Sequence, residues 1–424
     1  MRNYRVIGGI FFFLGQSFFG SAQTVSGLAP AGSGSAPIVS GSARAVSDSA
    51  PIVSKRVPDL GLHIGVMTPG KWDAITDVPG VKVGQTTLVQ GDSVRTGVTA
   101  IVPYDGNIFQ QKVPAAIFVG NGFGKLAGST QVMELGNLET PVVLTNTLSV
   151  GTAVEAVVQY TLGEKGNASV QSVNAVVGET NDGYLNDIRG MHVRKEDVWQ
   201  ALESAQAGPV QEGCVGAGTG TICFGFKGGI GTASRKLPVS LGGYTVGVIV
   251  QTNFGGLLSI DGVPVGKELH KIPFGEALGG PVGLAGPAGL AAPNNSVDGS
   301  CMMVVATDAP LDARNLGRLA KRAFMGLAMT GGIAANGSGD YVIAFSTNDS
   351  CRIAANPSQP VSSRPDLDNE AVSPIFMAAI EATEEAIVNS LLAARTTLGK
   401  DGHRAEALPM DKLLSILKQY NRIK

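Results

Sequence analysis

DGSCMMVVATDAPLD, residues 298–312, carries six apolar residues in a row at 301–306. An unbroken apolar run between polar ends reads as a strand buried on both faces. Such a strand needs cover above and below, which points to a layered α/β protein. Upstream, residues 275–296 are rich in Gly, Pro and Ala, with no period and little charge, and read as an exposed, mobile segment. Gly299-Ser300 then stands where a flexible tail meets a central strand. If that bond is cut, Ser300 gains a free α-amine. An unperturbed α-amine has a pKa of about 8, so a useful fraction is a free base near neutral pH. Such an amine can activate the hydroxyl of its own residue. The same residues also read as a plain Gly-Ser turn ahead of an ordinary strand, and this stretch alone leaves both readings open.

The chain around it has 424 residues, 44% hydrophobic and 16% charged, with a net charge of −2 and 58 glycines. That is enough for a large core and fits tight-turned α/β better than a helical bundle. With no long basic run, nucleic acid is not the expected partner. Cys214, Cys223, Cys301 and Cys351 form no CxxC, and the four His are scattered, so no zinc spacing exists and no metal is expected. Cys301 reads as a small core hydrophobe. Residues 1–22 read as an export leader: Arg2 and Arg5, an apolar run at 6–14, then Gly20-Ser21-Ala22. The run is too short to span a bilayer, so a cleaved leader and a periplasmic or secreted product are expected, with no membrane partner afterwards. Residues 23–55 are a low-complexity spacer in which SAPIVS occurs twice, and the catalytic domain is expected over 56–424.

Within that domain, strands are expected over 74–84, 97–103, 115–119, 141–144, 172–177, 244–251 and 341–346. Helices are expected over 150–162, 193–207, 310–330, 373–394 and 413–420, with a short one ending near Gly136. The 373–394 helix reads as amphipathic. Arg314, Arg318, Lys321 and Arg322 read as the solvated side of the 310–330 helix. Several strands are joined by turns rather than helices, which favours a four-layer αββα sandwich over a doubly wound sheet.

Residues 213–231 look like a phosphate loop but match neither G-x-x-x-x-G-K-[ST] nor G-x-G-x-x-G. No G-x-S-x-G elbow appears, so an α/β-hydrolase is not expected. Glu179 ends a strand and is followed by a glycine-bearing turn; it is either a carboxylate for a substrate ammonium or a solvated turn acid. Asn253 ends an apolar strand and is either an oxyanion donor or a turn former. Ser338 and Asp340, in a G-S-G-D turn, either orient a nucleophile or cap the turn.

Six ordered segments carry a resemblance. They are AITDVPGVKVG (74–84), NGFGKLAGSTQVMELGNLETPVVLTNTLSVGTA (121–153), GETNDGYLNDIRG (178–190), EGCVGAGTGTICFGFKGGIGTASR (212–235), GSCMMVVATDAPL (299–311) and GSGDYVIAFST (337–347). The chain resembles the self-processing serine aminopeptidases that include L-aminopeptidase/D-esterase and the β-peptidyl aminopeptidases. The resemblance implies an αββα sandwich with Ntn-hydrolase-like layering and different connectivity. It implies cleavage at Gly299-Ser300 into an α chain (56–299) and a β chain (300–424) that stay together. Ser300 would be the nucleophile, Asn253 the oxyanion donor, Glu179 the anchor of the substrate amine, and Ser338 a hydrogen-bond partner of the nucleophile. Asp340 stands where the β-peptidyl branch can carry Glu, and Asn181 near where some relatives place an aromatic.

The implied substrates are short peptides, amides or esters with a free N-terminal amine, without any cofactor, and the implied assembly is a homo-oligomer, a tetramer of αβ pairs. The expected activity is release of N-terminal residues, β-amino acids such as β-alanine first. The alternatives are an L-aminopeptidase/D-amidase-esterase, or an acyl transferase like the ornithine acetyltransferases, whose Thr nucleophile differs from Ser300.

Overall fold

The computed structural model describes residues 55–275, 278 and 298–424. The expected leader, all but the last residue of the expected spacer, and almost all of the segment expected to be mobile lie outside these residues. Along the chain, β1 (Lys82–Gln90), β2 (Val94–Val102), β3 (Gln111–Gly122) and β4 (Leu126–Ala127) precede α1 (Ser129–Leu135). Next come β5 (Asn137–Leu138), β6 (Val142–Asn146), α2 (Val150–Gly163), β7 (Val176–Thr180) and α3 (Lys195–Glu203). A hairpin of β8 (Ile222–Cys223) and β9 (Phe226–Lys227) leads into β10 (Ile230–Lys236), β11 (Thr245–Asn253) and α4 (Val265–Glu268). Then follow β12 (Ser300–Thr307), α5 (Ala313–Met329), β13 (Gly339–Ser346), β14 (Ile353–Ala354), α6 (Ser373–Leu392) and α7 (Met410–Gln419).

Two sheets carry the fold. The first has strand order β1-β2-β6-β7-β4, and the second β10-β11-β12-β13-β3-β14, with β5 also on β3. Most neighbours are antiparallel; β6–β7 and β12–β13 are the parallel pairs. β12 shows why its sequence has no polar break. Met302, Val304 and Ala306 point into the core between the sheets, with Ile101, Leu144, Val176, Ile249 and Ile343. Cys301, Met303 and Val305 point the other way, against Leu316, Leu319 and Ala323 of α5 and Ala379 and Ala382 of α6. On the far side, Val98, Val143 and Val177 of the first sheet pack against Ala153 and Val157 of α2 and Val198 and Leu202 of α3. The layers therefore run helix, sheet, sheet, helix, and a period-two alternation on β12 serves two cores at once.

Four expectations change. The strand expected over 74–84 begins only at Lys82: Ile75–Asp77 is a 3₁₀ turn, with the Asp77 carboxylate accepting from Trp72 N (2.9 Å) and Ala74 N (3.1 Å). Gly80, at φ +90°, then turns the chain into β1, a conformation that suits glycine. Asp340 lies inside β13 rather than in the turn before it. The 373–394 helix is α6, and its charged side is not solvated. Glu381 and Glu385 are buried against Arg235 of β10, at 3.1 and 2.6 Å. On α5, Arg318 and Arg322 lie over the Phe376 ring at 5.0 and 4.5 Å, so that basic side is partly covered. All four cysteines are buried and free.

Candidate active site

Ser300 is the first residue of β12, paired with Asn253 of β11 on one side and Gly339 of β13 on the other. Only 5% of it is exposed. The Gly339 N–H points at two oxygens, the Ser300 hydroxyl at 3.2 Å and the Gly299 carbonyl at 3.1 Å. One backbone donor thus reaches both the hydroxyl and the carbonyl oxygen of the bond before it. Gly299 is required by close approach. A Cβ there would lie 2.0 Å from the Asn253 carbonyl oxygen, far inside contact distance.

Asn253 is the last residue of β11, buried to 9% exposure. Its Oδ1 accepts from the Ile222 amide of β8 at 3.0 Å. Tying the oxygen turns the two N–H donors of the carboxamide away from Ile222. The side chain is therefore oriented by the hairpin packed beside it.

Ser338 and Asp340 flank Gly339 and are both buried. The expected bond from Ser338 to the nucleophile is not formed. The Ser338 hydroxyl donates to Asp340 Oδ2 at 2.6 Å, and the Ser300 hydroxyl is held by the Gly339 amide between them. Asp340 Oδ1 is buried without a hydrogen bond among the described residues. Burial pushes the Asp340 carboxyl up to about 6, against the Ser338 hydroxyl, which favours the charged form.

Glu179 comes from the other sheet, near the end of β7 and opposite Thr145 of β6. Only 3% of it is exposed. Its Oε1 accepts from the Lys125 amide at 2.9 Å and its Oε2 from the Thr147 hydroxyl. The Lys125 ammonium lies 3.9 Å from Oε1 on a side chain that is 59% exposed. Gly124 joins the two halves of the site. A Cβ built on it would lie 3.1 Å from Gly339 Cα and 3.3 Å from Glu179 Oε1. The carboxylate therefore faces the strand ends that carry Ser300 and Gly339. Asn181, two residues further on, is exposed, and its Oδ1 accepts from the Gly183 amide at 2.9 Å in an Asx turn.

So the structure gathers Ser300, Gly299, Asn253, Ser338, Asp340 and Glu179 where the ends of β7, β11, β12 and β13 meet, and leaves Asn181 at the rim. It adds Thr147, Ile222, Gly339 and Lys125. Three of these four act through a backbone N–H, which no residue type announces; Thr147 is a polar residue just past a strand, a weak signal. An open cavity of about 470 Å³, lined by Lys82, Tyr104, Tyr160 and Glu164 among others, lies at the opposite end of the first sheet and holds none of these residues. Among the described residues no group of three or more His, Cys, Asp or Glu has the placement to hold a metal ion.

A buried hydroxyl at a strand start, beside a glycine that tolerates no side chain and a carboxylate on the facing sheet, can be compared with known proteins. The β-peptidyl aminopeptidase BapA of Sphingosinicella microcystinivorans is 42% identical over 382 residues, covering 87% of this chain and 93% of the relative. A solved β-aminopeptidase from a Burkholderia species is 42% identical, with a TM-score of 0.76, covering 86% of this chain and 99% of that one. The L-aminopeptidase D-Ala-esterase/amidase of Ochrobactrum anthropi, described as a variant of the Ntn hydrolase fold, is 36% identical with a TM-score of 0.76, covering 87% of this chain and 99% of its own. The layering expected from the sequence is that of these enzymes. The model of peptidase family S58 matches residues 73–405, which takes in every residue of the site. The chain belongs to peptidase family S58, and it is a serine-type aminopeptidase.

Proposed function

We propose that this protein is an autoprocessed β-peptidyl aminopeptidase in which Ser300 is the nucleophile of both its own maturation and its peptidase reaction. The observation that carries this reading is the Gly339 N–H, shared between the Ser300 hydroxyl and the Gly299 carbonyl oxygen. In maturation, Ser300 Oγ attacks the Gly299 carbonyl carbon while Gly339 N–H stabilises the oxygen as it takes up charge. The C–N bond breaks, the proton goes to the departing amine, and water hydrolyses the resulting ester. The products are a Gly299 carboxylate and a free Ser300 α-amine.

In the mature enzyme that α-amine takes the proton from Ser300 Oγ as it attacks the substrate carbonyl, then returns it to the leaving amine. Asn253, turned donor-outward by Ile222, stabilises the tetrahedral oxyanion; such a donor is typically worth about 3 kcal/mol. Glu179 binds the substrate ammonium and so limits attack to the residue next to a free N-terminus. Ser338 and Asp340 support the nucleophile through the Gly339 peptide between them. Asn181 borders the pocket. Water then releases the acyl group.

The preference for β-amino acids is supported by the names of the curated relatives. Comparing hydrolysis of a β-alanyl dipeptide with its α-alanyl counterpart tests it, and a clear preference for the α-alanyl substrate would move the enzyme to the L-aminopeptidase branch. Residues 1–22 have the features of an export leader, and on that basis we place the mature enzyme in the periplasm or outside the cell, as a homo-oligomer of αβ pairs like the family it resembles.

A further inference from the structure

Lys227 is a lysine with no exposure at all. It lies in the glycine-rich run that matches no phosphate loop. Its Nζ donates to the Gly218 carbonyl at 2.9 Å and the Gly228 carbonyl at 2.7 Å. Cys214, Asp182 and Cys223 are the ionisable groups that act on it, and burial lowers its pKa against their pull. A Met would fill much the same volume without burying an ammonium. Removing that charge from water carries a substantial cost, so the residue is not explained by packing.

What the ammonium ties together is the support of Asn253. Lys227 is the direct cross-strand partner of Ile222 in the β8–β9 hairpin. The two carbonyls that it bridges bracket that hairpin, one before β8 and one just after β9. Between them the Gly228 amide donates to the Thr221 carbonyl at 3.0 Å, and the Thr221 hydroxyl to the Gly218 carbonyl at 3.1 Å. The Gly229 carbonyl accepts from the Thr252 amide at 3.0 Å, which docks the same segment on β11 one residue before Asn253. At the tip, Phe224 and Gly225 both have positive φ, +52° and +74°. That combination suits a two-residue hairpin turn but is uncommon for phenylalanine. The Phe224 amide donates to the Phe254 carbonyl at 2.8 Å, and the two rings meet edge-on at 5.0 Å. The hairpin is thus held at both ends, and the group it presents to the site is the Ile222 N–H on Asn253 Oδ1.

We infer that Lys227 is a positioning residue: its buried ammonium clamps the β8–β9 hairpin so that the Ile222 amide keeps the Asn253 donors aimed at the oxyanion. This rests on the oxyanion role proposed for Asn253. Lys227 touches no reacting atom. Its effect belongs to the transition state, because the oxyanion forms there, whereas substrate binding through Glu179 is made from the other sheet.

A double-mutant cycle tests it, with kcat and KM measured on a β-alanyl anilide and counted per processed chain. Lys227→Met is expected to lower kcat about 10- to 100-fold with KM nearly unchanged, the size expected when an oxyanion donor is displaced rather than deleted. In an Asn253→Ala background the same change is expected to cost less than about threefold, since the donor it positions is already gone. Equal losses in both backgrounds, or an unchanged kcat in Lys227→Met, overturn the inference. Asn253→Ala with the kcat of the unaltered enzyme would instead remove Asn253 from the oxyanion role, and Lys227 with it. Where Lys227→Met does not fold, Lys227→Gln, which keeps two N–H donors on a shorter stem, is run through the same cycle with the same criteria. Where processing stalls, the rate of chain cleavage is the readout.

Discussion

The Gly339 amide sits 3.2 Å from the Ser300 hydroxyl and 3.1 Å from the carbonyl oxygen of Gly299. In the proposed maturation, a donor in that position polarises the carbonyl that the hydroxyl attacks. It works only while Gly299 lies flush against the Asn253 backbone, where a Cβ would come within 2.0 Å of the Asn253 oxygen. Gly299→Ala should push the scissile carbonyl off the Gly339 amide. Cleavage is expected to slow by at least about 10-fold, as for loss of part of an oxyanion site. Denaturing gels over time measure this: the unaltered protein is expected to give two chains and Ser300→Ala one. A Gly299→Ala protein that matures at the unaltered rate would show that the shared donor is incidental.

Glu179 is clamped at both oxygens, by the Lys125 amide and the Thr147 hydroxyl, and only 3% exposed. Glu179→Gln keeps the shape and loses the charge. A hydrogen bond to a charged group contributes about 1.5–3 kcal/mol, so kcat/KM for a substrate with a free amine is expected to fall about 10- to 100-fold. Self-cleavage involves no substrate amine and is expected to continue. N-acetylation of the substrate should be as damaging to the unaltered enzyme as the substitution is. Full activity on the acetylated substrate would end the role of Glu179 as an amine anchor.

The apolar run at 301–306 made the central strand legible because burial on both faces leaves a mark that survives without any alignment. Glu179 and Asn253 were legible as polar residues ending apolar strands. Three things were not. The true partner of Ser338 depends on whether its hydroxyl turns to Asp340 or to Ser300, a choice of rotamer at a strand start. The 373–394 helix read simply as amphipathic because Arg235, the buried partner of its carboxylates, lies about 150 residues away in sequence. The donors at Gly339, Lys125 and Ile222 are backbone groups, and their placement follows from strand register and hairpin docking rather than from side-chain chemistry.

Arg235 is wholly buried, with Glu381 Oε2 at 3.1 Å, Glu385 Oε2 at 2.6 Å and the Ile64 carbonyl at 2.7 Å. It joins β10, α6 and the segment before β1, and removing it would strand two buried carboxylates. Arg235→Met is expected to destabilise the fold by about 3–5 kcal/mol. Replacing Arg235, Glu381 and Glu385 together by apolar residues should recover much of that loss, because the one carboxylate left at the cluster, Asp73 at 3.7 Å from Arg235, keeps Arg56 at 3.5 Å. Urea denaturation of the three proteins measures it. A single variant as stable as the starting protein would mean that the cluster relaxes around the loss.

Asp340 turns the geometry beside Ser300 into a pH dependence. Burial raises its carboxyl from 3.8 to about 6, so the charged form that accepts from Ser338 is complete only above that value. Activity is expected to fall as pH drops through about 6, as an inflection below the one set by the Ser300 α-amine, whose ordinary value is about 8. Stability runs the other way. Between 3.8 and about 6 the folded chain holds a proton that the unfolded chain has released, so stability declines as pH rises through that window and is level above it. Asp340→Asn removes both effects at once. Its kcat/KM profile should lack the lower inflection, and its urea midpoint should be less sensitive to pH between 4 and 6 than that of the unaltered protein. An Asn variant that keeps the inflection near 6 would assign it to another group and leave Asp340 a purely structural partner of Ser338.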